Sequence, residues 1–105
     1  MAYYLGIDSS TQGMKGLVID PDAGTVVASA AANFTADLPS YRCPDGVLTH
    51  ADPLVKHADP LMWLAALDLL LARLQATGVD MARIWAVGGA GPQHGSVYLT
   101  SRFAE

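Results

Sequence analysis

The residues with the most chemical potential lie near the start of the chain, in the segment GIDSSTQGMKG from Gly6 to Gly16. Asp8 is followed by Ser9, Ser10, Thr11 and Gln12, then by Gly13 and Lys15. A turn of this composition between two strands can aim several backbone amides and hydroxyls at one point, which is what a phosphate oxygen requires. A carboxylate beside bound phosphates can hold Mg²⁺ directly or through its waters. The spacing is not that of the P-loop, G-x-x-x-x-G-K-[ST], and no helix is expected after it. The same residues also suit a plain polar β-turn with Asp8 as a local acceptor, and Lys15 alone reads as a solvated strand residue.

A second group stands at GGAGPQHGSVYL, Gly88 to Leu99. Small and backbone-restricted residues there follow an apolar run directly, and Gln93 and His94 come next. Loops leaving the carboxyl end of a sheet strand are where ligands sit in α/β folds, and glycines let a ligand approach the main chain. Gln93 and His94 both donate and accept hydrogen bonds, which suits polyol hydroxyls. A single histidine in a glycine-rich loop is more often a surface residue, and His50 and His57 are read that way outright. No carboxylate or cysteine stands near His94 at metal-ligand spacing.

These groups need a scaffold, and the hydrophobic pattern supplies one. Strands are expected at Ala2 to Asp8, Met14 to Asp20 and about Thr25 to Phe34. Their short connections, including the turn Asp20-Pro21-Asp22-Ala23-Gly24, require an antiparallel meander. From Thr35 to Ala58 the prolines, glycines and scattered polar residues read as a loop or flap with little regular structure. Asp59-Pro60 is a helix start, since aspartate accepts from first-turn amides and proline there loses no needed donor. The helix should run to about Thr77, with Trp63, Leu67, Leu70, Leu71 and Leu74 on one face and Gly78 ending it. Arg83 to Gly88 then reads as a buried strand returning parallel, and Ser96 to Thr100 as a final strand. Trp63 and Trp85 are expected in the core. The expected fold is α/β, a mixed sheet in which a three-stranded meander precedes a helix and a parallel strand.

Composition narrows the partners. With 105 residues there is room for one modest core, and 51% hydrophobic against 15% charged residues means that much of the surface wants cover. The longest apolar stretch, Leu61 to Ala72, is interrupted by Asp68 and is too short for a bilayer, so no membrane partner is expected. Nothing at the amino terminus reads as an export signal. The single cysteine, Cys43, cannot form an internal disulfide and fits a reducing, cytoplasmic setting. A net charge of −4 with scattered Lys and Arg gives no nucleic-acid face.

In this order and spacing the motifs resemble the FGGY family of carbohydrate kinases, and within it the xylulose kinase branch. The segments carrying the resemblance are GIDSSTQGMKGLVID, DLPSYRCPDGVLTH, DPLMWLAALDLLLARL and GGAGPQHGSVYL, together nearly the whole chain. The resemblance implies the amino-terminal part of an actin-like (ribonuclease H-like) ATPase domain, with ATP and Mg²⁺ in a cleft and phosphoryl transfer to a sugar hydroxyl, of a ketopentose such as D-xylulose. On this resemblance Asp8 matches the magnesium-side aspartate, Ser10, Thr11, Gln12 and Gly13 the phosphate-binding turn, and Lys15 a basic residue near the phosphates. Gln93 and His94 match the sugar-side motif.

Two positions depart from the family pattern: Ser10 replaces a glycine usual at the turn, and Pro92 stands where glutamine is usual. The family's catalytic base lies beyond Glu105, so residues 1–105 are expected to form a partial domain without second lobe or catalytic residue. Negligible turnover is expected of it alone. Self-association through uncovered apolar surface is also expected. The readings kept beside this one are a noncatalytic nucleotide- or phosphate-binding module of the actin-like superfamily and a kinase for another sugar or polyol.

Overall fold

The computed structural model describes residues 2–43, 47–52, 54, 56–91 and 97–102. Three strands, β1 (Tyr3–Ser9), β2 (Gly13–Asp20) and β3 (Thr25–Asn33), form the expected antiparallel meander. A short helix, α1 (Phe34–Asp37), and a 3-10 turn at Pro39–Tyr41 follow β3 directly. The long helix α2 (Pro60–Ala76) then leads through a 3-10 turn at Met81–Arg83 into β4 (Ile84–Ala90), which pairs parallel with β1. The spatial order is β3-β2-β1-β4.

Local chemistry explains each boundary. The turn after β2 is held by Asp20, whose Oδ1 accepts from the amides of Asp22 (3.0 Å) and Ala23 (3.3 Å), and Gly24 closes it at φ +68°. Asp59 caps α2, its Oδ1 accepting from the Leu61 amide at 2.9 Å with Pro60 in the first turn. At the other end the Thr77 hydroxyl donates to the Leu74 carbonyl at 2.6 Å, and Gly78 takes φ +89°. The Arg83 guanidinium lies 4.0 Å from the centre of the Tyr3 ring, tying the start of β4 to β1.

Burial alternates cleanly along β2 and sets the two faces of the sheet apart. One face, with Leu5, Met14, Val18, Ala28 and Ala32, packs against α2, and there Gly16 lets the helix sit close. On α2 the fully buried residues are Met62, Ala66, Leu70 and Leu74, every fourth position. Trp63, Leu67 and Leu71 flank this ridge only partly buried, so the apolar face is centred differently from the expected one. Among the described residues no element lies over the opposite face, where Tyr4, Leu17, Ile19 and Val27 are exposed.

Cys43 lies in the expected loop segment and is buried in the core, its thiol donating to the Tyr41 carbonyl at 3.4 Å. Three expectations are corrected. Phe34 ends no strand; it opens α1 and is buried at 1% exposure, because Asn33 caps a helical turn there. Residues 97–100 form no strand. Trp85 is 76% exposed because β4 is an edge strand while α2 packs mainly on β2 and β3, and because the register slips between Tyr3 and Tyr4, leaving Trp85 as the extra residue of a bulge.

Candidate functional site

The parallel pairing of β1 with β4 fixes where the site forms. Both strands run toward the same sheet end, so the bend after Ser9 and the chain leaving Ala90 emerge side by side. In register across that end stand Ala31 on β3, Lys15 on β2, Asp8 on β1 and Ala90 on β4. Side chains at these paired positions share one face of the sheet, the one opposite α2. Asp8 and Lys15 are therefore direct cross-strand neighbours, both exposed. Gln93 and His94 lie outside the described residues.

The bend closes on itself through Gly13: the Ser10 amide donates to the Gly13 carbonyl at 2.8 Å, and the Ser10 hydroxyl to the same oxygen at 3.2 Å. That part is the plain polar turn read from sequence. The amides of Thr11 and Gln12, in contrast, have no acceptor among the described residues. The Gln12 carbonyl accepts from the Phe34 amide at 3.0 Å, which lays the second leg of the bend along the β3–α1 corner. Together they line an open concavity of about 430 Å³, with Asp8, Ser10, Gln12, Gly13 and Lys15 on one side and Asn33 and Asp37 on the other.

Asn33 and Asp37 did not stand out in the sequence. Asn33 Oδ1 caps α1 by accepting from the Ala36 amide at 2.9 Å, and Asp37 Oδ2 reaches back to accept from the Asn33 amide at 2.8 Å. This reciprocal pattern resembles a capping box, and N-F-T-A-D is the signal that could have found it. Asp37 is also gripped by Arg73 near the end of α2, Nη1 to Oδ2 and Nη2 to Oδ1, both at 2.9 Å. The Arg73 hydrogen bond, with a smaller part from the Asn33 amide, lowers the Asp37 carboxyl from its ordinary 3.8 to about 2.

A pH dependence follows. Because the folded value lies below the unfolded one, the stabilisation from Asp37 is complete above the ordinary carboxylate range and is lost as pH falls from about 4 toward 2. Both partners are partly solvent-exposed, so the effect is modest. Urea titrations at a series of pH values should show wild-type stability falling more steeply over that window than the stability of Asp37→Asn.

The residues fit a magnesium-bound phosphate. No group of three or more His, Cys, Asp or Glu side chains able to hold a metal occurs among the described residues. Mg²⁺ bound with phosphates needs only one or two carboxylates and keeps several waters. Asp8 offers such a carboxylate, Thr11 and Gln12 offer free amides, and Lys15 offers a cation on the same rim.

The site thus sits at one end of a mixed four-stranded sheet backed by one helix, an α/β unit with an acid and a lysine beside its opening bend. Comparison with known proteins shows what this unit is similar to. The chain is 40% identical over 105 residues to xylulose kinase 2 of Arabidopsis thaliana, 42% over 94 residues to xylulose kinase of Rattus norvegicus, and 41% over 101 residues to that of Saccharomyces cerevisiae. These alignments take in 90–97% of the chain. A crystal structure of a xyloylose kinase from Brucella ovis superposes with a TM-score of 0.75 at 27% identity, covering 95% of this chain and 18% of that one. No family model matches the chain. The chain is thus a homologue of xylulose kinases, and it spans only 16–18% of the length of these three curated relatives.

Proposed function

We propose that the chain contributes the phosphate-binding bend, and part of the sugar site, of an ATP-dependent kinase for a ketopentose such as D-xylulose. One observation carries the reading: Asp8 and Lys15 are cross-strand partners beside a bend whose Thr11 and Gln12 amides have no acceptor among the described residues. The homology to xylulose kinases supports ketopentose as the acceptor class. In this reading Thr11, Gln12 and Gly13 receive phosphate oxygens through main-chain nitrogen, with the Ser10 hydroxyl bracing the bend. Lys15 offsets the charge of the phosphates, and Asp8 holds Mg²⁺ directly or through water. The metal, when bound, neutralises charge on the phosphates during transfer. Gln93 and His94 contact the sugar.

Residues 1–105 then form a partial domain, with the second lobe and the aspartate that accepts the sugar proton lying elsewhere. Phosphoryl transfer depends on positioning and charge stabilisation around in-line oxygens, so the 105-residue chain is inactive by itself. Its exposed apolar surface, Tyr4, Leu17 and Ile19 on the open face with Trp85 and Val87 on the edge strand, drives self-association. No helix of the described residues is long and apolar enough to cross a membrane, and the reading sets the protein in the cytoplasm.

The test is titration of the isotope-labelled chain with ATP and Mg²⁺, following amide signals and heat. The Thr11, Gln12 and Gly13 amides should move, and Asp8→Ala should weaken the magnesium-dependent binding by about tenfold or more. Indifference of the bend amides to nucleotide sinks the reading. Turnover of D-xylulose by the chain alone overturns the inactive-fragment part, and binding without any kinase activity in a longer chain favours a noncatalytic nucleotide-binding module.

A further inference from the structure

We propose that Arg73 and Asp37 are positioning residues for the bend: their ion pair fixes the β3–α1 corner, and that corner holds the backbone of Gln12 and Gly13. The proposal rests on the phosphate-binding reading for its consequence, though not for its geometry. Arg73 Nη1 donates to the Ala31 carbonyl at 2.7 Å as well as to Asp37, so one guanidinium joins α2, α1 and β3. Asp37 in turn accepts from the Asn33 amide. The clasped positions Ala31 and Asn33 flank Ala32, whose carbonyl oxygen occupies the space where a Cβ on Gly13 would lie. The next residue, Phe34, is buried and donates its amide to Gln12. The second leg of the bend therefore rests on three consecutive residues whose position Arg73 sets.

An exposed ion pair ordinarily contributes little to stability. Here the guanidinium makes two parallel bonds to a carboxylate and a third to a main-chain carbonyl, across 36 and 42 residues of sequence. Such a planar fork fixes direction as well as distance, which a lysine ammonium cannot do. The reference point is firm, because α2 is anchored by Met62, Ala66, Leu70 and Leu74, all with no exposed surface. Charge matters too. Asp37 lines the concavity that would receive the phosphate, and Arg73 neutralises it there. Losing the arginine frees a carboxylate to repel the anion; losing the aspartate does not.

The asymmetry gives a test that a merely structural pair would fail. In the isotope-labelled 105-residue chain, Arg73→Met, Arg73→Lys and Asp37→Asn are compared with wild type, first without ligand and then against inorganic phosphate and magnesium ATP. The amides of Thr11, Gln12, Gly13 and Phe34 should shift in every variant while those of the α2 core stay in place. Arg73→Met should weaken anion affinity by roughly tenfold and Asp37→Asn by roughly threefold, with lysine failing to rescue. Unmoved bend amides in folded variants overturn the proposal, as does an affinity per folded molecule equal to wild type. If wild type binds neither ligand, the phosphate reading fails, and the ligand-free shifts still decide the clasp. Should Arg73→Met not fold, Asp37→Asn alone carries both readouts.

Discussion

Leu70→Ala is expected to cost about 2–5 kcal/mol of folding stability, enough to leave a small domain substantially unfolded at moderate temperature. Leu70 has no exposed surface, and it packs over Gly16 of β2. Its methyl carbons lie 3.3 and 3.4 Å from the position a side chain on Gly16 would occupy, with Leu74 Cδ1 at 3.2 Å. The strand offers no side chain there, so two leucines from consecutive turns of α2 rest directly on backbone. Truncating Leu70 opens a void that β2 cannot fill, because its ladder bonds to β1 and β3 hold it in plane. The remaining margin is small as well, since among the described residues only one face of the sheet is covered. Urea denaturation followed by circular dichroism measures the loss, with Leu64→Ala, at an exposed position on the same helix, as the near-neutral comparison. A cost for Leu70→Ala below about 1 kcal/mol would mean that the helix repacks freely on the sheet.

Features set by neighbours along the chain are legible in the sequence. The meander follows from the two tight turns, and the start and stop of α2 from Asp59-Pro60 and Gly78, because caps and turns are chemistry over three or four residues. The bend from Asp8 to Lys15 is legible for the same reason. What escapes depends on distance. The pairing of Asp37 with Arg73 spans 36 residues, and neither residue carries a signal of its partner. The buried ridge of α2 runs through Met62, Ala66, Leu70 and Leu74, and Gly16 on β2 admits Leu70 and Leu74 where a side chain would block them, a choice made by the sheet. Trp85 is exposed for a related reason. Its strand is apolar enough for a core, but the helix covers β2 and β3 and leaves the β4 edge bare. A run of apolar residues says that a strand wants cover; it does not say whether this chain provides it.

Gly13→Ala is expected to cost about 1–3 kcal/mol and to disrupt the bend, and the reason is space. The methyl group would collide with the Ala32 carbonyl oxygen and crowd the Asn33 Cα at 3.3 Å, both of them backbone, so no side chain can swing aside. Gly13 and Asn33 are ladder partners at the end of β2 and β3, and relief requires those strands to part where the Phe34 amide meets the Gln12 carbonyl. The variant should therefore lose hydrogen-exchange protection at Phe34 and, on the proposed function, lose phosphate affinity beyond its loss of stability. Gly6 and Gly88 supply the contrast. They are register partners on the open face, a methyl group on either would meet no atom within 4 Å, and neither needs positive φ. Alanine at either should be neutral or stabilising by up to about 1 kcal/mol, since glycine within a strand is costly in entropy. Equal destabilisation at Gly13 and Gly6 would show that the bend tolerates displacement, and the close approach of its backbone to Ala32 would then have no part in shaping the site.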